Sequence, residues 1–307
     1  MAVALAQGQP TFTGITIPII YPKKLQVKFY AKTVITNVTS TEYENELKKQ
    51  GDKARIRIKP VVNRKTGAIG QDMVNETPAF TYVDLDIDQY YYYSILCHGV
   101  PQAQSDIDLL AEYEEAITED NAVKTDADVL AYFDALGDAE NIGATAGVKT
   151  GAYDLGTTGA SIPITELNAP DKIADMIYTL KEQNVPVDWI LIPEWYTRKL
   201  VTSELKAANE MGDSMSTMRS GLVGKLFGHE LYDSNNMTST TDGTDSNICW
   251  YANAGNKSAI AFAQTIQNMR VIPTEKQFAR LIQMEVVYGR KVLQDDYLTG
   301  LYCRPGA

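Results

Sequence analysis

The stretch KKQGDKARIRIKP, Lys48 to Pro60, alternates without a break through its second half. Ala54, Ile56 and Ile58 point one way; Arg55, Arg57 and Lys59 point the other, which is the period of a half-buried strand. A chain with a net charge of −11 therefore carries one strand with a wholly cationic row. Residues 83–88, VDLDID, repeat the alternation with the opposite charge: Val83, Leu85 and Ile87 on one side, Asp84, Asp86 and Asp88 on the other. Antiparallel pairing sets the two rows against each other, at roughly 0.2–1 kcal/mol per cross-strand pair.

On that reading the hairpin satisfies its own charges, yet the count does not close. Lys48 to Lys65 holds eight Lys or Arg against one Asp, and three aspartates cannot match them. Between the strands lies VVNRKTGAIGQDMVNETPAFTY, residues 61–82, with few core-forming side chains. A connection that long is functional or disordered more often than it is packed. A projecting basic hairpin calls for a partner surface, and Ser105 to Glu140 supplies one, with twelve Asp or Glu against a single Lys. Ile107, Leu110, Ala111, Tyr113 and Ile117, then Val129, Leu130, Phe133 and Leu136, recur at helical spacing. Pro101 and Ser105 mark the start. The spacing predicts a long helix with an acidic exposed side, broken near Asp120-Asn121. A solvated face is the plain reading of such a run; docking onto the basic hairpin of another copy competes with it.

Outward from these two segments, residues 1–40 are punctuated by Gly8, Pro10, Gly14, Pro18 and Pro22 and read as an extended arm with short strands. Ser40 or Thr41, with Glu44, suits a capped helical turn. Residues 137–161 are rich in Gly and Thr and read as loops at a boundary. A helix then starts at Pro170-Asp171 with Ile173, Met176, Ile177 and Leu180 on one face. VDWILIP is a short buried strand, and EWYTRKLVTSELKAAN a second helix begun after Pro193. GKLFGHELYDSNNM is a short strand between glycine turns. ICWYA, SAIAFAQTI, ARLIQMEVVYG, RKVLQ and LTGLYC make the C-terminal part strand-rich.

With 307 residues, 44% hydrophobic and 22% charged, core size is no limit. No apolar run is long enough to cross a bilayer. MAVALAQGQP has no basic leader, so the chain is expected to be made and kept in the cytosol, where the Asn-x-Thr matches at Asn37, Asn75 and Asn236 carry no glycan. Cys97, Cys249 and Cys303 are too sparse for a disulfide framework or a zinc site and are expected in the core. The acidic surface disfavours tight nucleic-acid binding.

Chemistry is nearly silent. The two histidines, His98 and His229, have no sequence-adjacent catalytic partner, and GATAGVKTG lacks the spacing of a phosphate loop. SELK, residues 203–206, lies in the expected helix without companion motifs. DGTDSN is too short for a calcium loop and lacks its closing Glu. No catalytic, cofactor-binding or metal residue is expected, and no cofactor.

Taken in order, the parts resemble the major capsid protein of tailed phages, the Hong Kong 97-type fold. ITNVTSTEYENELKKQGDKARIRI is similar to the entry of that family's extended loop. DLDIDQYYYYSILCHGVPQAQSDIDLLAEYEEAI is similar to its return strand and spine helix. GLVGKLFGHELYDSNNM and VVYGRKVLQDDYLTGLYC are similar to an axial-domain strand and the closing strands. The likeness spans nearly the whole chain and rests on order and spacing. It implies an α+β fold with an N-terminal arm over 1–40 and an extended β-hairpin loop over 41–88. A peripheral domain with the spine helix follows over 89–150, an axial domain over 151–264, and peripheral return strands over 265–307.

The resemblance further implies a non-enzymatic structural protein of the virion, assembled in the host cytoplasm. Copies form hexamers and pentamers of an icosahedral shell that encloses double-stranded DNA without tight specific binding. Scaffolding, portal and decoration proteins are expected as partners, and no membrane. In the family the loop lies over a neighbouring subunit. The implied contact sets Lys53, Arg55, Arg57, Lys59, Arg64 and Lys65 against Asp106, Asp108, Glu112, Glu115 and Glu119 of the neighbour's spine helix. Some members cross-link through a lysine and an asparagine; Lys65 is in the loop, but no motif here licenses that. The short arm and initial Met point to separate scaffolding. Two rivals remain: an encapsulin-like shell that binds cargo enzymes, and a soluble α+β enzyme with a site assembled in space.

Overall fold

The computed structural model describes residues 33–44, 53–60, 62–73, 75–98, 109–133, 137–203, 224–242, 246–275 and 277–306. In chain order the elements are α1 (Ile35–Val38), β1 (Lys53–Ile58), β2 (Thr81–Asp86), β3 (Gln89–His98) and α2 (Leu109–Phe133). Then come β4 (Ile162–Ile164), α3 (Ala169–Glu182), β5 (Trp189–Pro193), α4 (Glu194–Thr202), β6 (Lys225–Leu226), β7 (His229–Ser234) and β8 (Ser239–Thr241). β9 (Ile248–Gly255), β10 (Ile260–Pro273), β11 (Ala279–Val292) and β12 (Leu298–Pro305) complete the chain. Most of the expected arm, and the Pro101 and Ser105 start signals of the long helix, lie outside the described residues.

The strands form three sheets: β1-β2, a three-stranded β10-β11-β3, and a seven-stranded sheet ordered β4-β12-β9-β5-β7-β6 with β8 on β9. Among the described strand pairs, β4–β12 and β5–β7 are parallel and the rest antiparallel. β5 holds the centre. All five of its residues are buried, the continuous apolar run of a strand covered on both faces. Ile190 and Ile192 enter a core with α3, α4, β4 and β12, whereas Trp189 and Leu191 enter a second core with α1, α2, β10 and β11. One short strand thus joins both cores.

On α3, Ile173, Met176, Ile177 and Leu180 are all buried, as their spacing predicts, and a proline stands in its first turn. Asn184, at φ 63°, follows the helix end; asparagine tolerates that left-handed backbone. All three cysteines are buried and none is in a disulfide.

Three local expectations are corrected. The long helix is unbroken from Leu109 to Phe133. Its apolar pattern fails at Asn121 and Asp126 because these polar residues are themselves buried. The helix after Pro193 ends at Thr202, because Ser203 turns extended and its hydroxyl donates to the Leu200 carbonyl at 2.6 Å. ARLIQMEVVYG and RKVLQ form one strand, β11, running straight through Gly289. Ser40 pairs in parallel with Ala261, its carbonyl accepting from Phe262 N at 3.0 Å, while Glu44 N donates to the Thr41 carbonyl at 3.2 Å in the turn expected there; the residues that follow Glu44 lie outside the described ones. The sheets also cut across the 265 boundary drawn from the sequence. β10 and β11 pair with β3, but β12 runs between β4 and β9.

Candidate functional site

The hairpin forms in the register that the charges require: Lys53 opposite Asp86, Ala54 opposite Leu85, Arg55 opposite Asp84, Ile56 opposite Val83. Its apolar side rests on the body, with Ile56 and Leu85 buried against Ala261 and Ala263 of β10. The strand end crosses β11 at Gly289, where an added Cβ would stand 2.1 Å from the Asp86 carbonyl oxygen. Only a glycine lets the hairpin base approach this closely.

On the polar side Arg55 makes a fork on Asp84, Nε to Oδ1 at 2.7 Å and Nη2 to Oδ2 at 2.9 Å. That fork holds the Asp84 carboxyl below its ordinary value. Lys53 Nζ reaches Asp86 at 2.8 Å, and Lys65 reaches Glu76 at 3.8 Å. Arg57 lies over the Tyr82 ring, 5.9 Å from its centre. Lys59 and Arg64 are exposed, and among the described residues neither meets an acid within ion-pair distance. The hairpin therefore satisfies part of its charge itself, through exposed pairs that solvent screens and that contribute little to stability. Beyond β1 the chain to Phe80 forms no strand or helix among its described residues, and Val62, Ile69 and Met73 stand 70%, 109% and 91% exposed. Among the described residues nothing covers that apolar surface.

The acidic helix α2 divides its carboxylates between two tasks. Asp126 is fully buried and accepts from Val34 N at 2.8 Å and Ile35 N at 2.9 Å, satisfying free amides at the start of α1. Its other oxygen accepts from the Asn236 amide at 2.8 Å. Asp128 accepts from the Tyr288 hydroxyl at 2.7 Å and pairs with Arg290, which also covers the Tyr132 ring. Asp120 accepts from the Tyr93 hydroxyl at 3.1 Å, and burial, with the Asp120 charge second, pushes that hydroxyl up to about 12. These three acids fasten the helix to the inner face of the β3-β11-β10 sheet and to α1. Of the expected contact residues on this helix, Glu115 and Glu119 are exposed and Glu112 is half-buried. Asp106 and Asp108 lie outside the described residues.

Sequence reasoning passed over the outer face of the same sheet. In the run Tyr90 to Tyr93, side chains alternate: Tyr93 goes inward, while Tyr90 and Tyr92 are 59% and 71% exposed. Tyr90 and Tyr92 with Asn268, Arg270, Gln283 and Glu285 line a shallow depression of about 180 Å³. The period of two within four tyrosines was the signal.

Two further groups that the sequence singles out are engaged in structure. His229 Nδ1 lies 2.7 Å from the Val187 carbonyl. The backbone amides of Lys149 and Thr150, in the stretch that resembles a phosphate loop, donate to Glu182 at 2.9 and 3.3 Å. An internal carboxylate therefore sits where an anion would, and the Lys149 amide, first among its partners, lowers the Glu182 carboxyl. Among the described residues no group of three His, Cys, Asp or Glu is placed to hold a metal, and no helix is long and apolar enough to cross a membrane.

No protein-family model and no curated protein matches the chain. Solved structures do. A chain from Mycobacterium phage Che8 aligns at a TM-score of 0.75 and 25% identity over 94% of this chain and 97% of that one. The capsid structure of the cyanophage P-SCSP1u aligns at 0.70 and 15% identity, over 95% and 94%. The capsid of Ralstonia phage GP4 aligns at 0.68 and 15% identity, over 100% and 99%. The mixed α+β fold is that of phage capsid chains, from end to end.

Proposed function

We infer that this chain is the major capsid protein of a tailed phage, a structural protein that assembles with copies of itself into the shell of the virion. The observation that carries the reading is the end-to-end match to chains whose structures are phage capsids.

The finer reading is the Hong Kong 97-type subdivision, in which hexamers and pentamers close an icosahedron around double-stranded DNA. Within it, residues 41–88 act as the extended loop, α2 as the spine helix, and the α3–β5–α4 region as the axial domain. The hairpin then reaches a neighbouring subunit. Its unpaired cations Lys59 and Arg64, with Lys53, Arg55, Arg57 and Lys65 around them, lie near Asp106, Asp108, Glu112, Glu115 and Glu119 of the neighbour's helix. Two features support this: cations left over after Asp84 and Asp86 are used, and the exposed Val62, Ile69 and Met73, which need cover. Scaffolding, portal and decoration proteins belong to the same reading.

Negative-stain electron microscopy of the expressed chain, beside sedimentation at low and high salt, tests it. Shells or capsomer rings are expected, with assembly weakened by salt if charge holds the loop on the helix. A monomer at every salt concentration, with or without the other structural proteins of its virion, would overturn the reading.

A further inference from the structure

Asp126 is an uncommon residue for the buried side of a helix. It is an acid with no exposed surface, and it shares that side of α2 with Val129, Leu130 and Phe133. A carboxylate taken out of water persists only where donors replace the water. Three do so here. Oδ1 accepts from Val34 N and Ile35 N at 2.8 and 2.9 Å, and Oδ2 from Asn236 Nδ2 at 2.8 Å.

The donors come from two other parts of the chain. Val34 is the N-cap of α1 and makes no side-chain cap bond, so a carboxylate 92 positions away fills that role. Just past α1 the chain is stitched to β10 of the three-stranded sheet, where Ser40 N donates to the Ile260 carbonyl at 2.9 Å. Asn236 lies in the turn between β7 and β8, at the seven-stranded sheet. Its backbone amide donates to Ser234 Oγ at 3.1 Å, and the next residue, Met237, is buried in the second core. One carboxylate thus joins α1, α2 and the seven-stranded sheet.

Such a junction opens as a whole. If Val34 and Ile35 lift away, Oδ1 is left buried without a donor, the costly case for an ion. The carboxylate must then turn towards water, which breaks its bond to Asn236. If Asn236 withdraws first, Oδ2 is stranded in the same way. Segments that share one buried charge therefore separate together.

We propose that Asp126 is a latch that makes the start of α1, the C-terminal half of α2 and the β7–β8 turn one cooperative unit. A pull on the chain ahead of Val34 is then felt at the seven-stranded sheet, and the reverse. Asp126 acts as a positioning residue that sets where that part of the chain leaves the body. The consequence for assembly rests on the capsid reading; the latch does not.

Hydrogen exchange read by mass spectrometry on the whole chain tests it. Peptides covering 33–44, 121–133 and 229–242 report the latch, and 185–200, which contains β5, reports global unfolding. Asn236→Asp sets a second carboxylate against Asp126 while changing only the turn. A local role for Asn236 predicts faster exchange in 229–242 alone. The latch predicts exchange at least tenfold faster in 33–44 as well, with 185–200 unchanged. The double variant Asp126→Asn with Asn236→Asp turns the bond round, with an amide on the helix and a carboxylate on the turn. The helix amide's oxygen still accepts from Val34 and Ile35, so 33–44 should return to within about threefold of wild type. Faster exchange confined to 229–242, or a double variant no slower than Asn236→Asp alone, overturns the proposal. If Asn236→Asp unfolds the chain, Asn236→Ala is read the same way. If both unfold it, a folded double variant supports the latch and an unfolded one overturns it. In sedimentation the assembled fraction should fall at least tenfold for Asn236→Asp and recover in the double variant. Normal assembly with 33–44 loosened overturns the part of the latch in assembly. A wild-type chain that never assembles overturns the capsid reading and leaves the latch to be judged by exchange.

Discussion

The central strand β5 and the hairpin strand β1 are of similar length and are placed by opposite means. β5 buries all five residues and serves two cores. β1 buries one residue fully, Ile56, and leaves its cationic row at the surface. The first is held by area removed from water, roughly 1.5–3 kcal/mol for each large side chain. The second is held by register and a small apolar base, with exposed ion pairs that contribute little. On the proposed reading stability rests on the first and assembly on the second, and substitutions should separate them.

The largest effect on folding is expected at Trp189, fully buried in the second core and 6.4 Å from the Phe133 ring. Trp189→Ala should cost about 3–5 kcal/mol, measured by denaturant unfolding. A loss under 1 kcal/mol would end the claim that β5 joins the cores. Next is Gly289→Val, which drives a side chain into the Asp86 carbonyl. It should cost about 1–3 kcal/mol as overpacking and raise the rate of limited proteolysis in residues 59–80. An unchanged cleavage rate would mean that the hairpin does not depend on its seat.

Smaller still for folding is the reversal of Arg55, Arg57 and Lys59 to Glu. It breaks the Asp84 fork and sets like charges across the hairpin, costing about 1 kcal/mol in the subunit. Assembly should fail all the same, and normal particles would sink the docking idea. Deleting residues 60–80 should change subunit stability least, because that stretch is exposed along its described length. Soluble subunits that cannot form shells are expected, and an insoluble, unfolded product would show that the loop belongs to the core.

Much of this division was legible beforehand. The hairpin register follows from two charged rows of opposite sign, and α3 from four apolar residues at helical spacing, both local patterns. The acidic helix was harder. A charge run reads as surface, yet Asp126 is its most buried acid, because the amides at the start of α1 need an acceptor and are brought to it from 92 positions away. The break expected at Asp120-Asn121 failed because Asn121 is buried and Asp120 accepts from the Tyr93 hydroxyl of β3.

The amino-acid order alone determined the pairing of the two charged hairpin strands, the apolar face of α3, which face of the hairpin is charged, and that the loop after Lys59 has little core of its own. These rest on side chains within a few residues of one another, where periodicity speaks directly. The tertiary structure decided that β5 is shared by two cores, that β12 joins the sheet of β9 instead of that of β11, and which acids of α2 remain free to meet another copy. Each of those depends on groups far apart in the chain competing for the same buried space, and that competition is resolved only when the whole fold has closed.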